Sequence, residues 1–122
     1  MNAVFDTGPV IHLDELNCLD LLGDFREILL PDAVLQEIRQ HRPSALKRSN
    51  LSFIRSPRKY PDDEALRTMC RIFSIDAGEA NALALMEKNP KAIFFTDDAS
   101  ARLVAEQMRF KGLVLQRSHR VI

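Results

Sequence analysis

The 122-residue chain is 46% apolar and 28% charged with zero net charge, a balance that fits one globular domain over residues 1–122 and excludes a disordered segment. Its two cysteines, Cys18 and Cys70, lie far apart among apolar neighbours, which excludes a disulfide framework and reads as reduced thiols of a cytoplasmic protein. The opening MNAVFDTGPV has no basic lead, so no signal peptide is expected, and no apolar run approaches the ~20 residues of a membrane span.

In chain order, Ala3-Val4-Phe5 reads as a strand closed by a turn at Asp6-Thr7-Gly8-Pro9. Apolar residues from Val10 to Phe25 recur at helical spacing. Ile28-Leu29-Leu30 is a second strand, and Pro31 opens a helix to about Gln40, because proline suits a first helical turn. A third strand is expected at Leu51–Arg55, among Pro43, Pro57 and Pro61. Asp62 to Phe73 reads as a helix with acids in its first turn. Another starts at Asp76-Ala77-Gly78-Glu79 and is apolar on nearly every face, which predicts burial. Ala92 to Phe95 is the strongest strand, ending at Thr96-Asp97-Asp98. A helix from Ala99 to about Arg109 and a strand at Leu113–Leu115 complete the series. Strands alternating with helices predict an α/β fold with a mostly parallel sheet and helices on both faces. Ligands of such sheets bind beyond the carboxyl ends of the strands.

The charges fall in blocks. Residues 1–37 carry eight acids and one base, whereas residues 38–61 carry seven bases and no acid. The basic stretch is either a solvated loop region or a dock for a polyanion beside an acidic pocket.

Two strands end in acids, Asp6 and the pair Asp97-Asp98, which parallel strands would bring to one edge. An aspartate after a strand is also a common turn residue, because its side chain bonds nearby N–H groups. Asp76 and Glu79 have the spacing of a capping box. Yet Glu79 shares a helical stripe with Ala82, Leu83 and Met86 and has no base three or four positions away. A carboxylate there needs a partner, and a metal ion is one. Glu37, in VLQEIRQ, likewise lacks a strong local ion pair, while Arg102 stands four residues after Asp98 as a salt-bridge partner. Carboxylate oxygens suit Mg²⁺ or Mn²⁺, and three scattered histidines give no zinc spacing. Asp-Thr-Gly after a strand also occurs in aspartic proteases, but those are nearly all-β, and at least four segments here are helical in period.

The strings VFDTGPVIHLDEL, ILLPDAVLQEI, IDAGEANALALM and IFFTDDASARLVAE, in that order, resemble the PIN-domain family. The likeness runs from about Ala3 to Phe110 and is closest to a subgroup of predicted nucleic-acid-binding PIN proteins related to toxins of toxin–antitoxin pairs. It implies a Rossmann-like, three-layer α/β/α fold with a central parallel sheet of four to five strands. It also implies a Mg²⁺- or Mn²⁺-dependent endoribonuclease with catalytic acids Asp6, Glu37, Glu79 and one of Asp97 or Asp98. Asp6, Glu79 and Asp97 or Asp98 would hold metal, and Thr7 and Thr96 occupy positions of supporting hydroxyls, with Arg102 nearby. Arg39, Arg42, Lys47, Arg48 and Arg55 would grip the RNA backbone. An antitoxin protein and a second copy of the chain, docked through the apolar early helix, are the implied partners. The subgroup continues past the last helix, whereas this chain ends in GLVLQRSHRVI, so a shortened C-terminus is expected. The alternative is a non-catalytic PIN-like module that binds nucleic acid or protein.

Overall fold

The computed structural model describes residues 1–47, 51, 53–57 and 59–114, the last four for their backbone only. Five strands, β1 (Asn2–Phe5), β2 (Glu27–Pro31), β3 (Phe53–Ser56), β4 (Ile93–Thr96) and β5 (Lys111–Val114), form one parallel sheet in the order β3-β2-β1-β4-β5. Among the described residues six α-helices accompany them: α1 (Thr7–Glu15), α2 (Asp32–His41), α3 (Ser44–Lys47), α4 (Glu64–Ile72), α5 (Ala77–Lys88) and α6 (Ala99–Gln107).

Side-chain alternation along the strands divides the core in two. Ala3 and Phe5 join Ile28, Leu30, Val10, Val34 and Ile38 on the face covered by α1 and α2. Val4, Leu29 and Phe94 join Leu66, Cys70, Leu83, Met86 and Val104 on the face covered by α4, α5 and α6. The result is the expected three-layer α/β/α architecture. Among the described residues no helix is long and apolar enough to cross a membrane.

Two features of the topology place the site. The chain leaves β1 towards β2 on one side and later returns to β4 on the other, so the crevice between the carboxyl ends of β1 and β4 is a topological switch point. Phe5 and Phe95 are register partners and stack at 4.3 Å, with Phe25 edge-on to Phe95. The Asp6 N–H then donates to the Phe95 carbonyl at 3.0 Å. The two strand ends are thereby held side by side one residue before their polar groups begin.

Several boundaries differ from the sequence-based expectation. The expected turn at Asp6–Pro9 is instead the first turn of α1, because the Asp6 carboxylate accepts from the Thr7 N–H at 2.8 Å and caps the helix. Pro9 is harmless there, since the first N–H groups of a helix have no partner to lose. The helix expected to reach Phe25 breaks after Glu15. Asn17 takes a left-handed conformation (φ 58°), and Leu19–Asp24 form a 3₁₀ turn. The third strand lies two residues later than expected at its start, and the fifth begins at Lys111 rather than Leu113, with Leu115 outside the described residues. The short α3 was not expected. α5 is buried as its composition requires, with seven of its twelve residues inside, Glu79 and Asn81 among them.

Candidate active site

At the carboxyl ends of β1 and β4 the chain gathers acids from both of its halves. Asp6, 7% exposed, follows β1 and is tied down by two bonds: its Oδ1 accepts from the Thr7 N–H, and its Oδ2 accepts from the Thr96 hydroxyl at 3.3 Å. Thr96, fully buried at the end of β4, also accepts from the Asp98 N–H at 3.1 Å. The Thr7 hydroxyl donates to Glu37 Oε1 at 3.2 Å, linking α1 to α2. Both threonines therefore orient acids.

Glu79 enters from α5. The Asp76 side chain accepts from the Glu79 N–H at 2.9 Å, so half of the expected capping box is present. Among the described residues the reciprocal bond, from the Asp76 N–H to the Glu79 carboxyl, is not made. The Glu79 side chain, 9% exposed, instead faces the carboxyls of Asp98 and Asp6. Carboxyls packed against one another in this way cannot all ionise, so at least one of them retains a proton. Burial, the contact with Asp98 and the charges of Asp6, Asp76 and Asp98 push the Glu79 pKa up to about 10. Asp6 is raised to about 6, chiefly by burial, with Asp97 and Asp76 adding to the rise and the Thr7 N–H opposing it.

The doubled acid after β4 is divided by geometry. Asp98 caps α6, accepting from the Ser100 N–H at 3.1 Å, and contacts Glu79. Asp97 is exposed and lays its carboxylate against Gly8 in the first turn of α1, beside Asp6. Glu37 is exposed on the wall of a cleft of about 340 Å³ shared with Gln36, Gln40, Asp76 and Gly78. A larger cavity of about 690 Å³ lies at the opposite edge of the sheet, lined by Met1, Asn2, Arg26 and Lys91 among others and by no acid. It is remote from this chemistry.

Asp76 is the member that sequence reasoning did not assign to the site. Its capping position was legible, but the contribution of its charge to Asp6 and Glu79 depends on the fold. Arg102 is a correction of the opposite kind. It is exposed, and among the described residues no ion pair joins it to Asp98; only its backbone N–H bonds the Asp98 carbonyl, at 3.0 Å.

The basic stretch is likewise split. Arg42 Nε lies 2.5 Å from Asp14, and Arg55 pairs with Asp32 at 2.9 Å. Arg39 and Lys47 are exposed and make no ion pair among the described residues, and Arg48 lies outside them.

The donor chemistry fits a hard divalent cation. Six carboxyl groups supply only oxygen, and among the described residues no Lys or Arg balances them. In this arrangement the carboxyls face helix N–H groups and one another, and among the described residues no three of them form a ready-made ligand set. No curated protein matches the chain. A model of the PIN-domain family matches residues 2–113, and by that match over nearly its whole length the chain belongs to the PIN-domain family.

Proposed function

We propose that the chain is a Mg²⁺- or Mn²⁺-dependent endoribonuclease, a single PIN-like domain of the cytoplasm that cuts RNA. PIN domains are generally nucleases, which supports the reaction class. The observation that carries the metal dependence is the gathering of Asp6, Glu37, Asp76, Glu79, Asp97 and Asp98 with no balancing cation among the described residues. Acids held this close, two of them protonated well above their ordinary range, are stabilised when a divalent ion replaces the protons.

Asp6, Glu79, Asp97 and Asp98 would hold the ion. When bound, it lowers the pKa of a water and neutralises charge growing on the phosphate oxygens. The protein's own part is positioning. Thr96 fixes the second oxygen of Asp6 and Thr7 fixes Glu37, which faces the cleft and orients the attacking water or takes its proton. Glu79 gives up its proton before it can serve as a ligand. Arg39 and Lys47 contact the RNA backbone.

An alanine series at Asp6, Glu37, Glu79 and Asp97, assayed on RNA with Mg²⁺ or Mn²⁺, tests this reading. Full cleavage by Asp6→Ala would end it. The likeness of the four motifs to the toxin subgroup extends the proposal to a toxin with an antitoxin partner and a homodimeric state. Growth arrest on expression of the wild type but not of Asp6→Ala checks that extension.

One observation favours a second reading, a non-catalytic binding module. Asp6, Asp76 and Asp98 already serve as helix caps. Calorimetry with Mn²⁺ separates the two, since no binding at millimolar metal selects the second.

A further inference from the structure

We propose that Gly8 is a positioning residue: its missing side chain admits the Asp97 carboxylate against the first turn of α1, next to Asp6. The inference rests on the metal-dependent reading for its functional consequence, but the packing relation stands apart from it.

The Asp97 carboxylate fills the space that a side chain on Gly8 would take. A Cβ on Gly8 would lie 2.0 Å from Asp97 Oδ2, 2.4 Å from Cγ and 2.6 Å from Oδ1, all far inside van der Waals contact. Backbone conformation does not call for glycine here. Gly8 occupies the second residue of α1, and no glycine among the described residues has positive φ. Helix propensity favours alanine over glycine. A residue that local conformation disfavours, at a site where the three nearest atoms to an added Cβ all belong to the Asp97 carboxyl, is explained by the approach of Asp97. Gly23 makes the contrast, because a Cβ there would meet nothing within 4 Å.

The consequence concerns how acids from the two strand ends are brought together. Asp6 is fixed by its bonds to the Thr7 N–H and the Thr96 hydroxyl. Asp97 is exposed and has no hydrogen bond of its own among the described residues, so the bare Cα of Gly8 is the surface that receives it. A methyl group there turns the Asp97 carboxylate away from Asp6.

Crystal structures of the metal-free wild type and of Gly8→Ala, with Mn²⁺ calorimetry on both, test the proposal. The expected result is an intact α1 with the Asp97 carboxylate rotated away, and Mn²⁺ affinity weakened by about tenfold, as for other residues that orient metal ligands. Gly23→Ala keeps wild-type affinity. In the Asp97→Ala background, Gly8→Ala should have no further effect on affinity, because its action passes through that side chain. An unmoved Asp97 carboxylate in the variant, or an equal loss of affinity with and without Asp97, overturns the proposal. If the wild type takes up no Mn²⁺, the metal-dependent reading fails, and the two metal-free crystal structures alone decide the role of Gly8.

Discussion

Asp14 and the pair Asp6–Glu79 are buried carboxyls treated in opposite ways. Asp14, near the end of α1 and 1% exposed, receives the Arg42 Nε at 2.5 Å and the Ser44 hydroxyl at 3.4 Å. Asp6 and Glu79 receive other carboxyls and are pushed to about 6 and about 10. A fold that buries an acid for structure supplies a guanidinium, since an unpaired buried charge is costly. Among the described residues the same fold supplies none at the switch point. Burial of an acid alone therefore says little about function here, whereas burial without a counter-charge among the described residues marks the crevice at the switch point.

The strongest way to break this contrast is to remove the uncompensated acids. Asp6→Ala and Glu79→Gln are expected to lower metal-dependent cleavage on the order of a thousandfold, the scale of losing several kcal/mol of charge stabilisation in the transition state. Residual activity near wild type would make the acid cluster incidental.

Stability should move the other way. Glu79 is raised in the fold from 4.5 to about 10 and Asp6 from 3.8 to about 6, so the folded state binds more protons than the unfolded one. Their contribution is present in full below the unfolded values. It is lost as pH rises, through about 6 for Asp6 and on towards 10 for Glu79. At about 1.4 kcal/mol per pH unit, the Glu79 effect from 4.5 to neutrality is about 3 kcal/mol. Urea unfolding in EDTA should thus show falling stability between pH 5 and 7. Glu79→Gln should flatten the slope and stabilise the metal-free protein, and Mn²⁺ should stabilise the wild type more at pH 8 than at pH 6. A slope unchanged by Glu79→Gln would assign it to other groups.

At the compensated acid the sign reverses. Arg42→Ala takes a guanidinium from the buried Asp14 and should cost about 2–3 kcal/mol, somewhat less than a fully enclosed pair because Arg42 is 33% exposed. Equilibrium unfolding measures the loss, and Mn²⁺ affinity should stay at the wild-type value.

How much of this was readable in the sequence follows the range of the interactions. The strand ends were legible because alternation is local and because Asp6 and Asp97-Asp98 follow directly upon their strands. The start of α1 was not, since Gly8 and Pro9 signal a turn by themselves and only the Asp6 cap reverses that signal. Glu79 remained divided between cap and ligand because one spacing serves both, and the choice is made by carboxyls on β1 and β4 that no window around residue 79 contains. Arg42 and Asp14, like Gly8 and Asp97, are paired only by tertiary structure. For the same reason seven bases in a row of 24 residues, 38–61, could not be sorted by composition into those that neutralise and those left over.

That sorting yields the smallest effect. Arg42 and Arg55 neutralise Asp14 and Asp32, whereas Arg39 and Lys47 are exposed without an ion pair among the described residues. Counterions condensed on RNA are released by cations that reach its phosphates, so each such contact adds to the salt dependence of binding. Arg39→Ala and Lys47→Ala should each weaken binding of a short single-stranded RNA several-fold and lower the slope of log affinity against log salt by about 0.7. Arg55→Ala should change the slope less, because its charge is already shared with Asp32 at 2.9 Å. Fluorescence anisotropy across a salt series measures all three. Equal slopes for Arg39→Ala and the wild type would move the RNA path away from α2 while leaving the acids at the switch point untouched.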